Sequence, residues 1–256
     1  MASPSSKDHL LEFLLRQGDN ALVLGHRMSE WCGTAPALEE DIALANTALD
    51  LIGQTQFWLG YAAEVEGQGR SANDLAFLRD AYDFRNLLML EVPNADFGRT
   101  MMRQFLFDAF QVPWLTALSG SADERIAGIA AKSLKEAIYH LERSQETVIA
   151  LGDGTEDSNR RMQAALDYLW PYAGEMFADD EADAAMSNGQ VAPLPSSMRP
   201  AWDAAVRPAL AEGCLQVPEG AFAHSGGRTG FRHTEHLGHM LATMQVLQRS
   251  YPGAVW

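Results

Sequence analysis

The sequence predicts an all-α protein, and three observations lead to this prediction. Apolar residues recur at steps of three and four through most of the chain, which is the period of an α-helix. No segment shows the alternation of apolar and polar residues that is typical of a strand. Two of the helical segments are long and their connections are short, which favours an up-down bundle.

The clearest helical pattern begins at Ser121 and ends at Gly152. Ser121 and Glu124 have the spacing of a capping box, and glycine is common just past the end of a helix. One apolar stripe runs through the segment and consists of Ile126, Ile129, Ala130, Leu134, Ala137, Leu141, Thr147, Val148 and Leu151. His140 lies on or beside this stripe, so we expect it to be buried with a partner, which is either a metal or another side chain.

Further helical patterns follow along the chain, and we expect one of them to be interrupted. They cover residues 8–31, 36–67, 73–92, 96–118, 158–177, 200–213 and 234–251. The first helix should break or restart at Gly18-Asp19-Asn20, because glycine is a weak helix former. The second is one long helix, whose apolar residues recur at Leu38, Ile42, Ala45, Leu49 and Ile52.

These patterns predict one domain that covers residues 1–256. A core bundle takes up about residues 8–177, and further helices follow over residues 200–252. Residues 179–200 contain several acidic residues and three prolines. We interpret them as an excursion on the surface and not as a domain boundary.

Composition and charge exclude several classes of function. The formal net charge of −15 argues against nucleic-acid binding, because phosphate contacts need clustered Lys and Arg. An acidic surface solvates the protein and can also steer a basic partner subunit. No apolar run reaches the ~18 residues of a membrane span, and the N-terminus lacks the pattern of a signal peptide. The two cysteines, Cys32 and Cys214, fit a cytoplasmic location.

A helical bundle with carboxylates and histidines raises the question of a di-iron centre. Such a site uses a Glu-x-x-His pair from each of two helices, and the chain contains no Glu-x-x-His. The residue three before His140 is Ala137, whereas Glu136 stands four before it. Residues four apart can also share one face of a helix, so the pair of Glu136 and His140 alone stays open as a metal site. Because a di-iron centre needs a second pair, we predict no metal ligand and no catalytic residue in this chain. The alternative is a stand-alone ferritin-like di-iron oxidase or metal-binding protein.

A second group of histidines lies near the C-terminus, at His233, His236 and His239. Histidines at three-residue steps resemble metal ligands, but each step rotates by about 60° on a helix. Two of them could chelate one ion, whereas three on one ion are not expected. The other interpretation is a polar helix start at an interface, and the sequence leaves both interpretations open.

Six segments together resemble a known family. They are GDNALVL (18–24), SEWCG (29–33), DIALAN (41–46), LDLIGQ (49–54), KEAIYH (135–140) and HTEHLG (233–238). In this order they resemble the C subunits of the bacterial phenylacetyl-CoA epoxidases, which are multicomponent ring monooxygenases. The resemblance extends from about residue 16 to residue 256.

The resemblance implies a ferritin-like bundle with a non-catalytic, structural role. It implies a homologous catalytic A subunit that carries the di-iron centre, a small B subunit, and a reductase with flavin and an iron–sulfur cluster. The complex would epoxidise the ring of phenylacetyl-CoA with NADPH, in the cytoplasm, during phenylacetate catabolism. This chain would hold no cofactor, and without its partner it could form a homodimer. A weaker hypothesis assigns Lys135 or Arg143 to CoA phosphates.

The resemblance also indicates which positions correspond to the iron ligands of the A subunit. One Glu-x-x-His falls on Ala137 and His140, and the other falls where no histidine exists, with Gln54 as the replacement. Asp108 corresponds to a retained carboxylate, and Glu30 lies near the first glutamate. We therefore expect a polar cluster that holds no metal. Its members are Glu30, Asp50, Gln54, Asp108, Glu136 and His140.

Overall fold

The computed structural model describes residues 5–220 and 222–254, which form eleven α-helices, three short 3₁₀ helices and no strand. The predicted all-α class is therefore confirmed. The α-helices are α1 (Ser6–Ser29), α2 (Leu38–Glu66), α3 (Ala72–Phe77), α4 (Leu88–Glu91), α5 (Phe97–Leu118), α6 (Glu124–Gly152), α7 (Glu156–Leu169), α8 (Glu181–Asn188), α9 (Arg199–Glu212), α10 (Glu235–Met244) and α11 (Val246–Ser250). The 3₁₀ helices are Ala81–Asp83, Trp170–Phe177 and Pro195–Met198. Residues 1–4, 221 and 255–256 of the predicted domain lie outside the described residues.

The chain divides into two compact units. Unit 1 comprises Met1–Cys32, Ile42–Pro93 and Ser225–Trp256, and unit 2 comprises Gly33–Asp41 and Asn94–His224. The first residues of α2 therefore belong to unit 2 and the remainder to unit 1. That residues 1–256 make a single domain stays a prediction.

In unit 1, α1 and α2 run antiparallel and approach closely at two glycines of α1. A Cβ atom on Gly18 would stand 2.5 Å from the Leu59 side chain, and one on Gly25 would stand 3.2 Å from Leu51 Cβ. The later glycine meets the earlier residue of α2, which sets the antiparallel direction. Close packing leaves little room for a side chain at either position. The buried side of α2 holds Leu44, Ala48, Leu51, Trp58, Leu59 and Ala62.

The predicted break of the first helix at Gly18-Asp19-Asn20 is wrong, because α1 is continuous from Ser6 to Ser29. Asp19 and Asn20 are buried and bond to backbone outside the helix. Asp19 accepts a hydrogen bond from the Arg85 amide at 2.8 Å, and Asn20 accepts one from the Leu87 amide at 2.8 Å. These two side chains attach the segment before α4 to α1. Gly18 has no side chain and therefore allows α2 to pack closely against α1.

The apolar pattern that predicts α2 marks the exposed side of this helix. The helix itself is confirmed at Leu38–Glu66. Ile42, Leu49 and Ile52 are large apolar side chains that lie exposed, and Ala45 between them is half-buried. A helical period identifies a face of a helix, but it does not reveal which neighbour covers that face.

Unit 2 is built around α5 and α6, which a short connection joins and which pack along one another. α7 and α9 pack against both helices. Trp202 of α9 is buried, and its Nε1–H donates a hydrogen bond to the Leu106 carbonyl of α5 at 2.8 Å. The rings of Trp170 and Phe177 lie 5.5 and 5.3 Å from the Trp202 ring. These contacts fix α9 on α5.

The start of α6 differs from the predicted capping box. The N-cap is Asp123, whose carboxylate accepts hydrogen bonds from two amides of the first turn at 2.9 and 3.0 Å. Ser121 instead donates its Oγ–H to the Val191 carbonyl at 2.7 Å. The positive end of the helix dipole also stabilises the negative charge of the Asp123 carboxylate at this position.

Residues 179–200, which are predicted to form an excursion on the surface, contain regular helical structure. This segment contains α8 and the 3₁₀ helix Pro195–Met198, and it buries Ala182 and Met186. Asp180 caps α8 through a capping box, which the acidic composition of the segment concealed.

Two predicted helices are shorter than expected. In the segment 158–177 the α-helix ends at Leu169, and a 3₁₀ helix follows that contains Pro171. Proline has no amide hydrogen, so it cannot donate the backbone hydrogen bond of an α-helix. The segment 234–251 is interrupted at Gln245, which is buried and donates Nε2 hydrogen bonds to two carbonyls near α3 at 3.1 and 3.0 Å.

Candidate functional site: buried polar clusters

The six residues of the predicted polar cluster fall in both units. Glu30, Asp50 and Gln54 belong to unit 1, and Asp108, Glu136 and His140 belong to unit 2. Asp108, His140 and Gln54 are buried, Asp50 and Glu136 are half-buried, and Glu30 is exposed. The contacts inside each unit show what these side chains can do.

Asp108 is the centre of the polar group in unit 2. It lies on α5, and its Oδ1 accepts a hydrogen bond from Gln104 Nε2 at 2.7 Å, one turn earlier on the same helix. Its Oδ2 accepts a hydrogen bond from Ser144 Oγ of α6 at 2.9 Å. Both carboxylate oxygens are therefore held by uncharged donors within unit 2.

Burial raises the pKa of Asp108 well above its ordinary value. The hydrogen bonds from Ser144 and Gln104 and the charge of Arg143 act in the opposite direction, but they are weaker than the loss of solvation. A neutral Asp108 carries an O–H donor, and the buried Oε1 of Gln104 has no hydrogen-bond partner among the described residues. Burial thus favours the neutral form of the Asp108 carboxyl.

The buried face of α6 carries small and neutral groups where a metal site needs a carboxylate. Ser133, Ala137, His140 and Ser144 are all buried on this face. Ala137 stands one turn before His140, at the place where a Glu-x-x-His would have its glutamate. Glu136 is half-buried beside this face. His140 therefore lies inside the bundle, as predicted, without a carboxylate three residues before it.

Arg143, the candidate for CoA phosphates, is engaged within unit 2. Its guanidinium forms an ion pair with Glu40, and both side chains are partly buried. Lys135, the other candidate, is exposed on α6. Arg143 therefore has a structural partner in Glu40. An exposed lysine such as Lys135 is common on the surface of a helix and does not by itself indicate a phosphate site.

In unit 1, Glu30 lies at the C-terminal end of α1 and pairs with Arg27. Its Oε1 accepts a hydrogen bond from Arg27 Nη1 at 2.7 Å. Arg27 is buried, and its Nε also donates to the Glu91 carbonyl at 3.1 Å. This guanidinium therefore ties the C-terminal end of α1 to the end of α4.

The sequence did not indicate the buried ion pair of Asp19 and Arg79 in unit 1. The Asp19 carboxylate receives two donors from the Arg79 guanidinium, one of them at 3.0 Å, and the Arg85 amide at 2.8 Å. Arg79 also lies over the Phe84 ring, 4.3 Å from its centroid. A buried charged group needs a partner of opposite charge. The position of Asp19 in the middle of a predicted helix was therefore the one sequence feature that could have indicated this pair.

Glu91 is a second buried carboxylate of unit 1 that the sequence did not indicate. It accepts hydrogen bonds from the Thr234 amide and hydroxyl, both at 2.7 Å, and from Asn86 Nδ2 at 3.0 Å. His233 Nδ1 lies 2.5 Å from Glu91 Oε1, and its Nε2 lies 3.1 Å from the Phe84 carbonyl. His233 therefore has a structural role at the start of α10, which favours the polar helix start for this histidine.

His236 and His239 face a small cavity in unit 1 together with His26 and Glu30. The cavity has a volume of about 350 Å³. Burial lowers the pKa of His26, whereas Glu30 raises it and Arg27 lowers it further. His26 is thus favoured in its neutral form at the end of α1.

The side chains of the two units differ from the ligand set of a di-iron centre. Such a centre takes a glutamate from two helices and a Glu-x-x-His from two others. Within residues 5–220 and 222–254, no group of three or more His, Cys, Asp or Glu side chains is placed to hold a metal ion. Ala137 and the neutral surroundings of Asp108 likewise do not fit the iron chemistry.

Comparison with known proteins decides the family. The family model described as "Phenylacetic acid catabolic protein" matches residues 1–256. The chain belongs to this family. It is 47% identical over 249 residues to an Escherichia coli (strain K12) protein that is named as the C subunit of 1,2-phenylacetyl-CoA epoxidase, and the match covers 97% of this chain and 100% of that relative.

The family assignment confirms the resemblance drawn from the sequence. The all-helical structure is consistent with the ferritin-like fold of this family. In the part of the chain that the structure describes, no helix is both long and apolar enough to span a lipid bilayer.

Proposed function

We propose that this chain is a non-catalytic structural subunit of a multicomponent di-iron monooxygenase that epoxidises the ring of phenylacetyl-CoA. Its role is to stabilise a homologous catalytic subunit in phenylacetate catabolism. The relative in E. coli carries the name of a subunit of such an epoxidase. The observation that carries the structural role is Asp108, whose two oxygens accept hydrogen bonds from Gln104 and Ser144.

This arrangement supports a scaffold because both oxygens of the buried Asp108 carboxyl accept hydrogen bonds from protein side chains. A buried polar group is tolerated when its hydrogen bonds are made inside the protein. Asp108 satisfies this condition with neutral donors, and Ala137 takes the place of the missing carboxylate. A chain of this kind folds without iron and offers its surfaces to other subunits.

The remaining components of the proposed complex follow from the family. The di-iron centre belongs to the catalytic subunit, and flavin and an iron–sulfur cluster belong to the reductase, which draws electrons from NADPH. The complex also contains a small B subunit. We place this chain in the cytoplasm, which its two free and exposed cysteines support.

The test replaces His140 and measures assembly and turnover separately. We expect His140→Ala to lower the thermal stability and the yield of the complex, because it removes a buried polar side chain. Turnover of phenylacetyl-CoA per assembled complex should stay within twofold of the wild type. Assembly is measured by size-exclusion chromatography with light scattering, and turnover is measured on the isolated complex.

A parallel variant provides the control for this test. The histidine of the catalytic subunit that binds iron is replaced in the same complex, and its turnover should be abolished. The structural role is contradicted if the His140→Ala complex assembles normally and binds phenylacetyl-CoA but does not turn it over.

A further inference from the structure

The outer face of α2 exposes several large apolar side chains in unit 1. Ile42 is 54% exposed, Leu49 is 66% exposed and Ile52 is 40% exposed. With the half-buried Ala45, they recur at steps of three and four. We call these four residues, Ile42, Ala45, Leu49 and Ile52, the α2 stripe. This spacing is the a/d pattern of helices that pack against another helix.

The residues around the α2 stripe are neutral over a long distance. Between Ile42 and Gly60 the sequence contains one charged residue, Asp50. Gly53 and Gly60 also lie in this helix, and a Cβ added at either position would meet nothing within 4 Å. A helix that is apolar on all sides is normally covered on all sides, so an exposed apolar face of this kind indicates a binding surface.

The equally long helix α6 has a more charged exposed face. Its exposed positions include Lys132, Lys135, Glu142 and Glu146, together with Ile138 and Tyr139. Charged residues of both signs keep such a face in water. The exposed face of α2 between Ile42 and Gly60 differs from it in having almost no charged residues.

Charge indicates what kind of partner covers the α2 stripe. The chain carries a formal net charge of −15, and α2 has no Lys or Arg, whereas its acidic residues other than Asp50 lie at its two ends. In a symmetric dimer the same face meets itself, so two copies would bring like charges together. An apolar helix flanked by Lys or Arg would combine burial with charge attraction.

We propose that the α2 stripe binds an apolar helix of a partner subunit, one that carries basic residues beside its apolar positions. This inference rests on the proposed function, because the partner is the homologous catalytic subunit of the complex. The stripe supplies the buried centre of the contact, and the acidic chain supplies the attraction around it.

The test uses the full chain, its catalytic subunit and substitutions at Leu49. We expect Leu49→Glu to weaken binding at least tenfold, because it places a charge at the centre of an apolar contact. Leu49→Lys should weaken binding more than Leu49→Glu, since the partner is basic. The matched control is Leu247→Glu on α11, where the side chain is 51% exposed, and its affinity should stay within twofold. Affinities are measured by calorimetric titration, and circular dichroism verifies that each variant keeps its helical content.

The outcomes separate the stripe from the proposed function. If the wild-type chain binds and Leu49→Glu binds equally well, or if Leu247→Glu weakens binding as much, the α2 stripe is the wrong surface although the subunit role stands. If the two Leu49 variants weaken binding equally, the basic partner is wrong. If the wild-type chain forms a homodimer and Leu49→Glu makes it monomeric, the α2 stripe binds a second copy of this chain and not the catalytic subunit. If the wild-type chain does not bind the catalytic subunit at all, the proposed function fails and the inference fails with it.

Discussion

Asp19 in unit 1 and Asp108 in unit 2 are both fully buried carboxylates on long helices, yet their surroundings differ in charge. Asp19 is held by the Arg79 guanidinium and a backbone amide. Asp108 is held by the amide of Gln104 and the hydroxyl of Ser144. The first contact joins parts of the chain that are distant in sequence, whereas the second joins the neighbouring helices α5 and α6.

The difference shows two ways in which a helical protein tolerates a buried acid. In unit 1 an opposite charge balances the carboxylate, and the pair holds the segment after α3 on α1. In unit 2 burial raises the pKa, so a neutral carboxyl is favoured. The two carboxylates are thus held in different ways, one by an opposite charge and the other by neutral hydrogen-bond donors.

The largest effect is expected for Arg79→Met, which leaves Asp19 buried without its cation. Removing one member of a buried ion pair costs about 3–5 kcal/mol, and we expect a loss of this size in the free energy of unfolding. Urea unfolding followed by circular dichroism measures it. The double variant Asp19→Asn with Arg79→Met is the control, since it should lose less than the sum of the single variants. Additive losses would show that the two side chains are not coupled.

A smaller effect, with a characteristic pH dependence, is expected for Asp108→Asn. Because the pKa of Asp108 is raised in the folded state, the folded protein holds a proton that the unfolded chain loses above pH 3.8. The contribution of Asp108 to stability is therefore complete below this pH and is lost as the pH rises through the folded pKa. Asn has no such dependence.

Urea unfolding of both proteins at several pH values from 5 upward measures this difference. Relative to Asp108→Asn, the wild type should lose stability with rising pH, by at most about 1.4 kcal/mol per pH unit, up to the folded pKa. Parallel pH profiles of the two proteins would contradict the neutral carboxyl.

The smallest effect distinguishes two serines of α6. Ser144 Oγ donates to Asp108, whereas the buried Ser133 Oγ has no hydrogen-bond partner in the described part of the chain. Ser144→Ala should lower the free energy of unfolding by about 1–3 kcal/mol, because it leaves one oxygen of Asp108 without a donor. Ser133→Ala should change it by less than about 0.5 kcal/mol or raise it. Equal losses in the two variants would show that the bond to Asp108 contributes nothing measurable.

The sequence predicts the helices well because their apolar period is local. The existence of α2, α5, α6 and α7 follows from steps of three and four, and so does the burial of His140. Capping is harder to predict, since Ser121 and Asp123 compete for one helix start and a tertiary contact to Val191 decides between them.

The polar clusters are only partly visible in the sequence. The absence of any Glu-x-x-His pointed away from a di-iron centre, because ligand spacing on one helix is local information. Arg79 bonds to a residue 60 positions earlier, and Thr234 bonds to Glu91 across 143 positions, so no local pattern reveals either contact. The exposure of Leu49 was also hidden, because the same apolar spacing describes a core face and a binding face.

The metal content of the isolated chain tests the structural role most directly. The chain is expressed alone with iron supplied, purified without chelators, and its iron is quantified by mass spectrometry. The account predicts iron well below one equivalent per chain, with the same value for Asp108→Asn. Close to two equivalents per chain, lost in Asp108→Asn or His140→Ala, would contradict it and would show that this chain has its own di-iron centre.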